Sequence, residues 1–377
     1  MTQAANNSRH GYYQRKAAQI GPAGDFVTAP ELTQLFGEMV AVWLVSVWEA
    51  LGRPDNVRLV ELGPGTGVLM RDVLRTLSRF PAMRKAVQVH LVELSQPLRR
   101  LQAATLCGAE YEGPQTPESV TVEGTTVTWH PFLSEVPADG PLLLVAQEFL
   151  DVFPVHQFGL GVRGWTEKLV DVCDSPDSRL HFRMVLAPSP TPACHAILAA
   201  RSDPLSPYSF LSKVVDSAAG KLGDGMQVSP LALAVVEQVA LRIRDAGGAA
   251  LFLDYGEDRH QTDTLRGFRR HEVVDALSLP GLTDVTCDVD FAACAHVARL
   301  RGAMVAPLLS QGEFLMRMGI AQRLERVFAM PGTTEEQARA LFEAFKMVAG
   351  HEPGQMGAKF KALRIASPEI AGGVEGL

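Results

Sequence analysis

The chain has 377 residues, of which 47% are hydrophobic and 20% are charged, and its formal net charge is −7. This composition is typical of a globular protein with an ample core. The negative charge argues against the basic surface that nucleic acid binding requires, so we expect no DNA or RNA partner. The five cysteines include no CxxC pair, so no metal site is predicted, and no apolar run is long enough to predict a membrane span.

Strand and helix signals alternate along much of the chain. Short apolar runs rich in β-branched residues are followed by segments whose apolar residues recur three and four positions apart. Alternation of this kind predicts an α/β fold in which a parallel sheet carries helices on both faces. The predicted strands are residues 57–62, 87–95, 125–130, 141–149 and 248–256, and the predicted helices are residues 68–80 and 96–106.

The alternation is interrupted between residues 155 and 245. A hairpin pattern and a Pro-rich loop replace it there, so we predict an inserted α+β subdomain for substrate or partner. The last helix of this insert is expected to begin with Ser229 as N-cap and Pro230 in its first position. Gly247 is expected to end the same helix.

The resulting organisation has four parts. An N-terminal helical segment contributes to the pocket, an α/β core contains the sheet, the insert follows, and a helix with a tail ends the chain. We expect the tail after Ala358 to fray, because it carries Pro and Gly. In the order given, the parts are residues 1–56, residues 57–154 with 246–320, residues 155–245, and residues 321–377.

Several residues mark particular helices. Trp43 and Trp48 lie on one apolar segment and are interpreted as core residues of a buried helix. Asp290 is predicted to be a helix N-cap. The predicted capping boxes pair Ser310 with Glu313 and Thr333 with Glu336.

A glycine-rich turn joins the first predicted strand to its helix. Gly63, Gly65 and Gly67 leave backbone N–H groups open to a ligand at a helix N-terminus. The third glycine stands one position too early for the dinucleotide fingerprint, and no lysine follows to form a phosphate loop. The turn is therefore either a tight connection only or a site for a nucleoside-like ligand without a pyrophosphate.

Two glutamates at strand ends favour the ligand site. Glu93 ends the second predicted strand, where a carboxylate can accept hydrogen bonds from both hydroxyls of a ribose. Glu61 ends the first strand, beside the glycine turn, where it could meet an amino group. A pocket for adenosine with an amino-acid end fits S-adenosylmethionine, which we predict as the cofactor.

Several unusual strings resemble, in order, the blocks of one known family. They include GDFVTAPE, VELGPGTGVLMRDVLR, VHLVELSQPLRRLQ, AQEFLDVFPVHQF and a block that starts with LDYGEDRHQTDTLRGF, and the resemblance runs from about Gly11 to Ile320. The chain is similar to the MidA-like family, the complex I assembly-factor arginine methyltransferases of mitochondria and their bacterial relatives. The resemblance implies a Rossmann-like class I methyltransferase fold and symmetric dimethylation of an arginine on a partner protein such as a complex I core subunit. It also implies a location in the bacterial cytoplasm or the mitochondrial matrix.

The resemblance also implies which residues act. The cofactor motif falls on Glu61, the three glycines of the turn and Glu93, and the implied catalytic residues are Asp25, Glu148 and Asp151. An arginine acceptor is protonated in solution, so carboxylates must orient its guanidinium, and Glu148 and Asp151 follow the fourth strand where they can do so.

Further residues near the sheet edge have two interpretations. Asp254 and Tyr255 end the fifth strand and are expected to line the acceptor side. Arg266, Arg269 and His271 either contact an acidic partner or form a solvated basic loop.

Two positions depart from the family pattern. Gln147 stands where relatives have Asn or His, and Gln227 stands where they have Glu, so either could alter substrate contacts. The stretch before Gly11 is shorter than in relatives, which would leave one edge of the pocket incomplete. Two other functions stay open from the sequence: a non-catalytic assembly scaffold that retains the fold, and methylation of a small molecule.

Overall fold

The structure is a computed structural model that describes residues 1–14, 21, 24–108, 118–175, 178, 180–217 and 223–370. The family resemblance also includes the stretch GYYQRKAAQIGPA before GDFVTAPE, and residues 15–20 and 22–23 of that stretch lie outside the described residues, as do residues 371–377 of the predicted tail. The described chain contains helices, strands and two short 3-10 helices, Tyr12–Gln14 and Leu133–Glu135.

Strands and helices occur throughout the described chain. The strands are β1 (Val57–Leu62), β2 (Val87–Val92), β3 (Glu118–Val120), β4 (Thr126–His130), β5 (Leu142–Gln147), β6 (His156–Gly161), β7 (Gly164–Val172), β8 (Phe182–Leu186), β9 (Gly225–Val228), β10 (Gly248–Glu257), β11 (Arg266–Arg269), β12 (Glu272–Val274), β13 (Asp284–Thr286), β14 (Val289–Asp290), β15 (Met304–Val305), β16 (Leu309–Ser310) and β17 (Phe360–Ala366). The helices are α1 (Thr2–Asn6), α2 (Ala29–Leu32), α3 (Gln34–Ala50), α4 (Val68–Leu77), α5 (Pro81–Ala86), α6 (Gln96–Cys107), α7 (Pro192–Ala200), α8 (Leu211–Ser217), α9 (Pro230–Ala246), α10 (Phe291–Leu300), α11 (Gln311–Arg317), α12 (Ile320–Phe328), α13 (Glu335–Ala349) and α14 (Met356–Lys359).

One large sheet organises the fold, with strand order β15-β17-β10-β5-β1-β2-β4-β3. Strands β4, β2, β1, β5 and β10 are parallel to their neighbours in that series, as the βα alternation predicts. After β4 the chain crosses to the other side of β1, so β1 and β5 become neighbours. Open α/β sheets bind ligands at the carboxyl end of strands where the order reverses in this way. The fold therefore creates a crevice at the ends of β1 and β5.

The two faces of this sheet carry separate hydrophobic clusters. Along β1, Val57 and Leu59 belong to one cluster, and Val60 and Leu62 belong to the other, because side chains alternate between faces. Helices α3 and α4 contribute to the first cluster, while α9 and α10 contribute to the second. The predicted α/β arrangement with helices on both faces is confirmed.

The predicted helix signals agree with the structure at most positions. Trp43 and Trp48 are buried in α3. Ser229 caps α9 by accepting from the amide of Ala232, and Asp290 caps α10. One capping box was placed wrongly.

That capping box belongs to α13. Its N-cap is Thr334 with Gln337 as the third residue, whereas the sequence favoured Thr333 with Glu336. The Thr333 hydroxyl instead donates to the carbonyl of Val327 at 2.9 Å, at the end of the preceding helix. Both threonines match the capping pattern in the sequence. The hydrogen bond of Thr333 to α12 is the contact that distinguishes it from Thr334, the N-cap.

The predicted insert contains a second sheet, with strand order β8-β7-β6-β9. Its hairpin of β6 and β7 pairs Phe158 with Glu167, as the sequence predicts. Helix α9 was included in this insert, but its buried residues Val236 and Ile243 pack in the cluster that covers the large sheet. The division of the chain into domains stays a prediction.

The C-terminal region differs most from expectation. Residues 360–366 form β17, which pairs antiparallel with β10 over seven residue pairs, so the expectation that the tail frays after Ala358 was wrong for these residues. Leu363 and Ile365 are buried on one face of the sheet, while Ala362 and Ala366 are buried on the other. This alternation was overlooked because Pro and Gly flank the strand on both sides.

Candidate active site

The glycine turn after β1 has a backbone that only glycine adopts easily. Gly63, Gly65 and Gly67 have φ values of 62°, 52° and 82°, in the left-handed region. A Cβ atom on Gly63 would lie 2.7 Å from the Phe149 ring, and one on Gly67 would lie 3.2 Å from the Cα of Gln102. The turn therefore packs tightly on two neighbouring segments and requires glycine for space as well as for conformation.

Two acidic side chains flank this turn. Glu61 is 2% exposed, and its Oε2 has no hydrogen-bond partner among the described residues. Burial raises the pKa of Glu61 to about 8. Burial also raises the pKa of Glu93 to about 6, although Glu93 Oε1 accepts from the amide of Ser95 at 2.8 Å. An unpartnered buried carboxylate is a suitable partner for a cationic amino group.

Gln102 of α6 connects the turn to Glu93, and the sequence reasoning missed it. This fully buried side chain donates through Nε2 to the Gly65 carbonyl at 2.9 Å and to Glu93 Oε2 at 3.2 Å. Its Oε1 accepts from Trp129 Nε1 at 2.9 Å. Gln102 ends the string VHLVELSQPLRRLQ of the family resemblance, which was the available signal, but its partners on three different elements follow no local pattern.

A cavity of about 590 Å³ opens at the glycine turn, within the size range of cofactor sites. Glu61, Gly63, Gly65 and Glu93 line this cavity, so the structure brings together all the predicted cofactor residues except Gly67, which packs against Gln102. Segments far apart in sequence form the other walls. These include Thr2, Asn6, Thr28, Pro30 and Glu31 from the N-terminal region and Leu231, Val235 and Gln238 from α9.

A second cavity, of about 640 Å³, lies next to the first. Tyr13, Phe26, Glu148 and Val152 line both cavities. Acidic and aromatic side chains form much of the remaining wall of the second cavity. Residues of the segment 351–360 complete it. Glu148 therefore stands at the boundary between the two spaces.

Glu148 has an unusual conformation for its position. It directly follows β5 and has a φ of 50°, which is uncommon for a residue other than glycine. Its amide donates to the carbonyl of Leu253 at 2.8 Å, and its Oε1 accepts from Gln147 Nε2 at 2.9 Å. Burial raises the pKa of Glu148 to about 8, and the charges of Asp151 and Asp284 raise it further.

Asp254 fixes the backbone that carries Glu148. Its Oδ2 accepts from the amides of residues 149, 150 and 151 at 3.1, 2.9 and 3.3 Å. Three such bonds hold the loop that follows β5 in one conformation. Asp254 does not line either cavity, so the expectation that it lines the acceptor side was wrong.

Asp151 and Tyr255 do line the second cavity, as expected for Tyr255. The Tyr255 hydroxyl donates to Asp151 Oδ2, while Asp151 Oδ1 has no partner among the described residues. Asp151 is 3% exposed, and burial raises its pKa to about 6. The cavity wall thus contains a buried carboxylate that the Tyr255 hydroxyl orients through one oxygen.

Asp284 is a third buried carboxylate of this cavity, and the sequence reasoning did not identify it. It begins β13, and its Oδ1 accepts from the Tyr13 hydroxyl at 2.8 Å. Burial raises the pKa of Asp284 to about 7, and the charge of Asp151 adds to the effect. The stretch TDVTCDVDF, which contains Asp284, belongs to a block of the family resemblance and was the available signal.

Comparison with known proteins identifies the class of this site. Residues 39–307 match a protein family described as "Putative S-adenosyl-L-methionine-dependent methyltransferase". The chain belongs to this family. The predicted methyltransferase resemblance and the class I methyltransferase fold are confirmed, and S-adenosylmethionine is the cofactor.

Named relatives cover nearly the whole chain. The mouse and human proteins named protein arginine methyltransferase NDUFAF7, mitochondrial, are 37% and 36% identical over 96% of this chain, and the matches cover 78% and 77% of those proteins. A crystal structure from Burkholderia thailandensis, bound to S-adenosylhomocysteine, is 26% identical with a TM-score of 0.75. That match covers 100% of this chain and 88% of the other.

The first cavity has the features that this cofactor requires. The Glu61 carboxylate, whose Oε2 has no partner among the described residues, could hold its amino group, Glu93 could hold its ribose, and Gly63 and Gly65 of the turn line the same cavity. Within the described chain, no helix combines the length and apolarity that crossing a membrane requires.

Asp25 and Arg266 are partnered away from the two cavities. Asp25 Oδ2 accepts from the Tyr12 hydroxyl and Oδ1 from the amide of Arg270, both at 2.9 Å, and Asp25 is not among the residues that line either cavity. The structure therefore indicates that Asp25 orders a turn. Arg266 forms an ion pair with Asp288 at 2.6 Å, whereas Arg269 and His271 form none among the described residues, so both interpretations of this basic segment stay open.

The two departures from the family pattern differ in importance. Gln147 lines the first cavity and bonds to Glu148, so it touches the candidate acceptor carboxylate. Gln227 is buried and bonds to Gln157 and Thr264 at 2.9 Å each, outside both cavities. Only Gln147 is placed to alter substrate contacts.

Proposed function

We propose that this protein transfers a methyl group from S-adenosylmethionine to an arginine of a partner protein. The observation that carries this proposal is the position of Glu148, which lines both the cofactor cavity and the acidic cavity beside it. The names of the relatives, protein arginine methyltransferase, support the choice of arginine.

In this proposal, Glu61, Glu93 and the glycine turn hold the cofactor, which supplies an electrophilic methyl group on a sulfonium. The acceptor guanidinium is protonated in solution, because arginine has a pKa above about 12. Glu148 binds it with paired hydrogen bonds and directs one nitrogen toward the cofactor cavity. Because its own pKa is raised to about 8, Glu148 is also suited to hold the proton that the acceptor releases.

The finer details follow from the resemblance to complex I assembly-factor methyltransferases. We propose a complex I core subunit as the partner and symmetric dimethylarginine as the product. The corresponding location is the mitochondrial matrix for a eukaryotic chain and the cytoplasm for a bacterial one.

The test uses labelled S-adenosylmethionine. Purified protein is incubated with it and with extract from cells that lack the gene, and mass spectrometry locates the labelled residue. We expect label on an arginine of one protein, and we expect it to disappear when that arginine is replaced by lysine, which lacks the planar fork. Label confined to small metabolites or to lysine would overturn the proposal, as would a complete absence of label.

A further inference from the structure

The second cavity is lined by five carboxyl groups, of Glu148, Asp151, Glu257, Asp284 and Glu352, and by one lysine, Lys359. Glu148, Asp151 and Asp284 all line it, and among the described residues none of the three forms an ion pair. Arg266, whose charge acts on Asp151, is itself paired with Asp288 at 2.6 Å. Buried carboxyl groups without a counter-ion either keep a proton, as their raised pKa values indicate, or ionise when a ligand supplies a positive charge.

The partners of these carboxylates leave room for that ligand. Tyr13 donates to one oxygen of Asp284, and Tyr255 donates to one oxygen of Asp151. Asp151 Oδ1 stays buried and without a partner among the described residues. Each tyrosine thus orients a carboxylate and uses only one of its oxygens.

Aromatic rings form part of the same wall. Tyr255, Phe268 and Phe360 line the cavity, and Tyr255 meets Phe360 edge to face at 5.4 Å. The Tyr255 ring already attracts cations, since the Arg266 guanidinium lies 4.9 Å from its centre and Lys359 Nζ lies 5.5 Å from it. Rings and carboxylates together suit a flat, weakly hydrated cation better than a compact ammonium.

We infer that the second cavity is the entrance and binding site for the acceptor, in which Asp151 and Asp284 hold the guanidinium of an arginine side chain that reaches Glu148 from the side opposite the cofactor. This inference rests on the proposed function and adds the route of the acceptor and a further binding residue, Asp284. The mouth of the route is the segment from His351 to Phe360, whose residues bound the cavity on the outside.

The test measures binding without turnover. Protein saturated with S-adenosylhomocysteine is titrated calorimetrically with acetyl-Gly-Arg-Gly-amide and with the same peptide carrying citrulline or lysine instead of arginine. Citrulline keeps the planar shape and removes the charge. We expect the arginine peptide to bind at least about tenfold more tightly than either analogue, the scale for hydrogen bonds to a charged group.

Two variants then locate the site. Asp284→Asn keeps an oxygen that can accept from Tyr13 and removes the charge, so affinity for the arginine peptide should fall about tenfold or more. Affinity for S-adenosylhomocysteine should stay within about twofold. Asp258→Asn makes the same change at an exposed position that lines neither cavity, and it should leave both affinities unchanged.

The outcomes separate the two proposals. Three results would overturn the cavity assignment: equal binding of the arginine and citrulline peptides, no binding of the arginine peptide, or normal binding by folded Asp284→Asn. Arginine methylation would still stand if label appears on arginine. If Asp284→Asn does not fold, Asp151→Asn and the three peptides on the unmodified protein still decide the question. Label on lysine or on metabolites alone would overturn the proposed function itself.

Discussion

The side-chain amide of Gln102 donates to the backbone carbonyl of Gly65 at 2.9 Å, across the gap between α6 and the glycine turn. The same nitrogen reaches Glu93 Oε2 at 3.2 Å. One buried side chain therefore fixes the spacing between the turn and the proposed ribose carboxylate. Cofactor affinity should depend on this residue although it is absent from the wall of the cavity.

Gln102→Met tests this dependence, because methionine has a similar volume and donates no hydrogen bond. We expect the free energy of unfolding to fall by about 1 to 3 kcal/mol and the affinity for S-adenosylhomocysteine to fall about five- to thirtyfold. Calorimetry and thermal melting measure both. Gln322→Met, at an exposed position of α12, is the matched control and should change neither. Normal affinity in folded Gln102→Met would show that the turn does not need this support.

Gly63→Ala should lower the free energy of unfolding by more than the strain of its backbone conformation accounts for. Gly108 has nearly the same φ, 64° against 62°, but a Cβ there would meet nothing within 4 Å. Gly108→Ala should therefore lose about 1 kcal/mol of stability from strain only. Gly63→Ala should lose a further 1 to 3 kcal/mol, roughly, because its Cβ would overlap the Phe149 ring. Equal melting temperatures for the two variants would contradict the close packing.

The stability of the cofactor-free protein should decrease as the pH rises from about 4.5 to about 8. Burial raises the pKa of Glu61 from 4.5 to about 8, so in this window the unfolded chain loses a proton that the folded chain retains. The effect is absent below the unfolded pKa and complete above the folded one. Urea unfolding at several pH values should show a smaller decrease for Glu61→Gln, which has no such proton. An unchanged slope would contradict the raised pKa.

The pH dependence of methylation should follow Glu148. A protonated Glu148 can neither pair with a guanidinium nor accept its proton, and its pKa is raised to about 8. We therefore expect kcat/KM to rise with pH up to about 8 and then level off, because this ratio reports the free enzyme. A flat profile between about pH 6.5 and 8.5 would exclude Glu148 as the titrating group.

Glu148→Gln should separate catalysis from cofactor binding. The substitution keeps the volume and one acceptor oxygen but removes the charge, so turnover should fall roughly thirty- to a thousandfold, equivalent to about 2 to 4 kcal/mol. Affinity for S-adenosylhomocysteine should persist. If Glu148 only stabilises the turn after β5, the variant will instead melt at a lower temperature and retain its activity per folded molecule. Melting temperature, cofactor affinity and methylation rate measured on one preparation distinguish the two outcomes.

Strands and helices whose hydrophobic pattern repeats along the chain could be predicted from the sequence. Contacts between residues far apart in the chain could not. The β-branched run before Gly63 predicts β1, and the next such run places Glu93 at the same sheet edge, because parallel strands end together. Tyr13 and Asp284 are 271 residues apart and meet through one hydrogen bond, which no local pattern encodes. The positioning role of Asp254 was missed for the same reason.

The position of β17 between β10 and β15 has a consequence for biosynthesis. Nine of the ten residues of β10 are buried in the finished protein, yet the strand that covers one of its edges leaves the ribosome roughly a hundred residues later. At 5 to 20 residues per second this interval lasts roughly 5 to 20 s. During that time a nascent chain presents an apolar strand with unpaired backbone groups, the arrangement that recruits other chains into aggregates. Truncated translation products would keep this edge permanently, so cells that make this protein have reason to remove incomplete chains quickly.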